Sequence, residues 1–68
     1  MLTFAQLKDT AARAGFTRRV IVELGDNDFY GWIRPVTDFG ATFTMIDDET
    51  GVVRNIVGGD ATVRDLDD

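Results

Sequence analysis

Side chains able to carry covalent chemistry are scarce in this sequence. It contains no Cys, His or Ser, which removes thiolate and imidazole nucleophiles, disulfides and the common Cys/His zinc sites. Any catalysis would have to run on carboxylates, Lys8, Tyr30 or threonine hydroxyls without an imidazole partner. The expectation is a protein that is not an enzyme. Two acidic clusters remain. Asp26-Asn27-Asp28 with Gly31 resembles part of a calcium loop but lacks the ligand spacing and terminal Glu of one, so it reads as a turn. Asp47-Asp48-Glu49 reads as a solvated hairpin loop, and neither a metal nor a cofactor is expected.

The remaining chemistry is non-covalent. Residues 1–19 hold Lys8, Arg13, Arg18 and Arg19 against Asp9, a balance of +3, whereas residues 20–68 hold three arginines against eleven acids, a balance of −8. An acidic chain repels nucleic acid, because phosphate neutralisation supplies most non-specific affinity. The four cations near the start could still present one attractive face, with a merely solvated helix face as the alternative. Phe39, next to Asp38, is a loop aromatic that could serve as a base platform or pack on a neighbour. Tyr30 and Trp32 share one side of a strand and form either an exposed aromatic ledge or a buried seat for the helix.

Spacing defines the elements that must position these groups. Thr3 and Gln6 form a capping box for a helix whose apolar side carries Phe4, Leu7 and Ala11. Gly15 supplies a left-handed stop from which Phe16 folds back on Ala11, which predicts a helix over 4–14. After Thr17 the period becomes alternating, with Val20, Val22 and Leu24 on one side of a strand and Arg19, Ile21 and Glu23 on the other. Gly25-Asp26-Asn27-Asp28 turns the chain into a second strand, Phe29–Arg34, which Pro35 ends. Thr42–Asp47, Val52–Val57 and Ala61–Leu66 read as three further strands, separated by a hairpin loop and by the corner Gly58-Gly59-Asp60.

A chain of 68 residues has room for one domain and one core. A flat sheet of five strands would leave an apolar face bare, since a single helix cannot cover it. The expected fold is therefore mainly β: an N-terminal helix followed, over 17–66, by a five-stranded, strongly bent antiparallel SH3-like barrel. Val20, Val22, Leu24, Ile33, Phe43, Met45 and Val63 would fill it, with the helix plugging one open end through Phe4 and Leu7. No apolar run reaches the roughly 18 residues of a membrane span. Met1–Arg18 lacks the basic start and continuous apolar middle of a secretion signal, so the cytoplasm is the expected location.

Val20-Ile21-Val22-Glu23-Leu24, a turn, Phe29-Tyr30-Gly31-Trp32-Ile33 and then Asp38 resemble the first motif of the Sm and Sm-like (LSm) proteins, which include bacterial host-factor RNA chaperones. Val57-Gly58-Gly59-Asp60-Ala61-Thr62-Val63 is similar to the second motif, and the likeness spans nearly the whole chain. It implies assembly into a homo-oligomeric ring in which the fourth strand of one subunit pairs with the fifth of the next. Val52, Val53, Ile56, Val63 and Leu66 are the expected contact residues, with intramolecular core as the alternative.

The resemblance further implies a site for single-stranded RNA built from two loops. The matching positions are Asp38, Phe39 and Thr42 in the first and Gly58, Gly59 and Asp60 in the second, bordered by Lys8, Arg13, Arg18 and Arg19. The chain departs from the family pattern in both loops. Counted from Asp38 the asparagine position falls on Thr42 and the stacking position on Ala41, counted from Gly31 they fall on Ala41 and Gly40, and the arginine position is Gly58, so the amide that reads a base edge and the charged stacker are both missing. The implied partners are further copies of the chain and single-stranded RNA, with neither DNA nor membrane. A ring scaffold without RNA, and a monomeric SH3-like module binding peptide on Tyr30 and Trp32, are the alternatives.

Overall fold

The computed structural model describes residues 2–35 and 40–66. Helix α1 spans Phe4–Arg13, and strands β1 to β5 span Arg18–Leu24, Asn27–Ile33, Thr42–Asp47, Val53–Val57 and Ala61–Asp65. A single turn of 3-10 helix, Gly58–Asp60, separates the last two strands.

Local chemistry builds both ends of α1. Thr3 Oγ1 accepts from the Gln6 N–H at 3.2 Å while Gln6 Oε1 accepts from the Thr3 N–H at 2.8 Å, which completes the predicted capping box. At the other end Gly15 adopts φ +90°. The Phe16 N–H then donates to Ala11 O at 2.8 Å and the Gly15 N–H to Ala12 O at 3.0 Å, the paired bonds of a left-handed helix stop. The predicted four-residue turn after β1 shortens to Gly25-Asp26, because Leu24 already pairs with Asn27. Gly25 at φ +62° suits the first position of a two-residue hairpin loop, whose twist matches that of the flanking strands.

The strand order is β4-β3-β2-β1-β5, with every neighbouring pair antiparallel. Following the chain direction through that order leaves the two edge strands, β4 and β5, pointing the same way. Adjacent parallel strands need a crossover of about a dozen residues, and only Gly58, Gly59 and Asp60 stand between these two. They cannot zip together within one copy. The expected barrel is therefore not closed, and among the described residues the sheet keeps two free edges.

The sheet is strongly rolled nonetheless. From Val57 to Ala61 the chain reaches at most about 14 Å, whereas four strand spacings of a flat sheet come to about 19 Å. A twist of roughly 20–25° per strand pair swings β4 toward a right angle with β5, and the short corner joins them there.

Rolling gathers the inner face into a cluster of Val20, Val22, Ile33, Phe43, Met45 and Ile56, with Phe29, Ala61 and Val63 packed against it. Leu24, predicted inside, is only half-buried beside the hairpin loop. A second cluster forms on the outer face from Leu7, Ala11, Phe16, Trp32 and Ile46. The helix thus covers the sheet's outer face instead of plugging an end. β2 and β3 carry bulk on both sides, so Trp32 and Ile46 need the Leu7 and Ala11 stripe to exclude water. Phe4 remains 46% exposed, its ring centroid 5.3 Å from that of Trp32.

Candidate functional site

Of the loop residues that the resemblance assigns to RNA, Asp38 and Phe39 lie outside the described residues. Thr42, Gly58, Gly59 and Asp60 come together at one corner. Thr42 opens β3 opposite Val57, and the Gly58 N–H donates to Ala41 O at 3.1 Å, which pins the second loop against the start of β3. Gly58 is buried there, while Thr42, Gly59 and Asp60 are exposed. Their side chains offer a hydroxyl and a carboxylate, with no cation to neutralise a phosphate and no ring to stack on a base.

Three of the four basic residues near the start are paired with acids. Arg13 Nε lies 3.1 Å from Asp9 Oδ2, one helical turn back. Arg18 grips Asp65 with both Nε to Oδ1 at 2.6 Å and Nη2 to Oδ2 at 3.1 Å, a fork that ties β1 to β5. This hydrogen bond above all holds the Asp65 carboxyl below its ordinary pKa and raises that of Arg18. Arg19 Nη2 bonds Asp48 Oδ2 at 3.0 Å, and its guanidinium lies 5.0 Å from the Phe4 ring centroid. Lys8 has no carboxylate partner among the described residues. The basic face read from the sequence is largely neutralised by acids of the same chain, two of them 29 and 47 positions away.

The acidic run Asp47-Asp48-Glu49 builds a turn. Asp47 Oδ1 accepts from the Glu49 N–H at 2.8 Å and the Thr50 N–H at 3.0 Å, and its Oδ2 lies 3.5 Å from Arg54 Nε. Burial pushes the Asp47 pKa up, but the two backbone donors, Arg54 and the Thr50 hydroxyl outweigh it and hold the group below its ordinary value. A carboxyl with a depressed folded-state pKa stabilises the fold above its unfolded pKa of about 3.9, and that stabilisation disappears as pH falls through the folded value. Asp47→Ala should accordingly cost about 1–2 kcal/mol at pH 7 and progressively less below pH ~4. Urea denaturation at several pH values checks this, and a loss independent of pH would contradict it.

The two free edges carry the most distinctive geometry. Hydrogen bonds from the Asp47 N–H to Val52 O and from the Gly58 N–H to Ala41 O set the phase of the β3–β4 ladder. Arg54 and Ile56 therefore turn their backbone groups toward β3, while Val53, Asn55 and Val57 turn theirs outward. The Leu66 N–H to Arg19 O bond sets the phase of β1–β5 in the same way and leaves the backbone groups of Ala61, Val63 and Asp65 outward. Val53 and Val57 are 59% and 57% exposed. An edge strand with open backbone groups and bare valines is a template for another strand.

Val52 and Val53, both expected at an inter-subunit contact, lie exposed at this edge. Ile56 and Val63 pack into their own inner cluster, and Leu66 is half-buried just after β5. Tyr30 is 44% exposed but Trp32 only 1%, so the two rings make no common ledge for a peptide. No family model, curated protein or solved structure matches the chain. Its function has to be read from these edges and charges.

Asn55 and Asp65 are edge residues that spacing alone did not single out. The available signal was the repeat Val53, Asn55, Val57 on the side of a strand opposite its core residue Ile56. Two valines on a face that ought to be wet ask for a cover.

Proposed function

We propose that this chain is a subunit of a homo-oligomeric ring of the Sm-like kind, formed by laying β4 of one copy beside β5 of the next, and that the ring works as a scaffold. The observation that carries this reading is the pair of open edges, which the three-residue corner prevents from pairing within one copy. Head-to-tail addition through two different edges closes into a ring when the rotation permits. The motif resemblance favours a ring over a filament. Assembly would also supply the buried surface that a domain this small lacks.

Charge favours a scaffold over an RNA binder. Each copy contributes a net −5, and Arg13, Arg18 and Arg19 are paired with Asp9, Asp65 and Asp48. Native mass spectrometry at micromolar concentration should return one closed multiple of the chain, and a folded monomer would sink the ring. Val53→Lys with Val57→Lys should convert that multiple to folded monomer, because edge lysines oppose strand addition. Labelled single-stranded RNA titrated at two salt concentrations should show no binding. Affinity that falls with salt, and falls again in Arg18→Ala with Arg19→Ala, would instead establish phosphate contact.

A further inference from the structure

We infer that the copies join in one register, with Asn55 on β4 opposite Asp65 on β5 of the next copy and Val57 opposite that copy's Val63. The inference rests on the ring reading and adds its alignment. In an antiparallel addition, outward-turned residues of the two edges pair directly and send their side chains to a common face. Val53, Asn55 and Val57 must then meet Ala61, Val63 and Asp65, so that the outer row of β4 runs on into the inner row of the partner's β5.

Three alignments make at least two such pairs. The first sets Val53 against the partner's Asp65, Asn55 against the partner's Val63 and Val57 against the partner's Ala61. It places two polar groups against valines and, in the intervening row, Arg54 directly opposite the partner's Arg64, where like charges repel. The second sets Val53 against the partner's Val63 and Asn55 against the partner's Ala61. It faces Ile56 with the partner's Asp60 and runs Val57 into the corner at Gly59. The third sets Ile56 opposite the partner's Arg64, but it alone pairs valine with valine and amide with carboxylate while keeping the arginines apart.

The polar pair is chemically complementary. Asn55 Oδ1 accepts from Thr44 Oγ1 at 3.2 Å, which leaves the Nδ2 hydrogens to donate. Asp65 only accepts, and the Arg18 fork holds it in place on the edge strand. Each copy thus carries the donor on one edge and its acceptor on the other.

The chain has no native cysteine, so paired single substitutions report the register directly. Val57→Cys and Val63→Cys chains assembled together and oxidised should give the highest yield of mixed disulfide dimer, because paired Cα atoms about 5.5 Å apart suit a disulfide. Higher yield from Asn55→Cys with Val63→Cys, or from Val53→Cys with Val63→Cys, would overturn the register while an oligomeric native mass leaves the ring standing. A monomeric wild-type chain would overturn both. Asn55→Asp retains the acceptor for Thr44 but sets a carboxylate against the partner's Asp65. The concentration at half assembly should rise roughly tenfold at pH 7 and return when Asp65→Asn is added. An unchanged midpoint in Asn55→Asp would likewise overturn the register.

Discussion

Replacing Gly31 with alanine should destroy most of the stability of this fold. A Cβ at that position would lie 2.1 Å from the Ile46 carbonyl oxygen and 2.9 Å from its carbon. Both are backbone atoms of the neighbouring strand and cannot rotate away. Relief requires β2 and β3 to part by about 1 Å, and their short ladder pairs Gly31 with Asp47, Trp32 with Ile46 and Ile33 with Met45, continued by the Asp48 N–H donating to Tyr30 O. Overpacking of this kind costs about 1–3 kcal/mol where the surroundings can shift, and more where they cannot. A core this small supplies no more than about 3–5 kcal/mol in total. Gly31→Ala should therefore be largely unfolded at 25 °C by circular dichroism and amide-proton dispersion. A urea midpoint equal to wild type would show that the strands do not approach this closely.

The second large effect concerns the seat of the helix. Trp32 is 1% exposed and shares its cluster with Leu7, Ala11, Phe16 and Ile46, so it joins helix to sheet. Truncation of a buried tryptophan costs about 3–5 kcal/mol. Trp32→Ala should thus remove nearly all the stability of the domain, with helical and sheet signals in circular dichroism lost together. Trp32→Phe should behave differently. Among the described residues the indole Nε1 has no hydrogen-bond acceptor, and an unpaired buried donor costs about 1–3 kcal/mol. Phenylalanine removes that cost along with some area, so its net loss should stay within about 1 kcal/mol. Comparable destabilisation by Ala and Phe would sink this account of the outer cluster.

Assembly and stability meet at the same strands. Arg18 binds Asp65 on β5, and Arg19 binds Asp48 beside β3 while covering Phe4. The cations that looked available for a phosphate backbone hold the rolled sheet and its helix together. The motif-like segments on β1 and β2 lie on paired strands, as the sequence pattern expects.

Several features follow from the chain read residue by residue. The Thr3 and Gln6 box, the Gly15 stop, the alternation of Val20 and Val22 with Ile21, and the corner at Gly58 to Asp60 are set within a few positions along the backbone. Each is a local competition among dihedrals, caps and faces, and neighbours in sequence decide it. What only the tertiary structure decided depends on groups far apart in the chain. Strand direction and a three-residue link together forbid β4 and β5 from pairing, which keeps the barrel open. Alternation shows that β2 has two apolar sides, but only packing determines that α1 covers the outer one. Charge is written in the sequence, whereas its neutralisation by Asp65 and Asp48 requires the fold to bring those acids within hydrogen-bond reach, because electrostatic attraction is felt over ångströms of space and not over positions of chain.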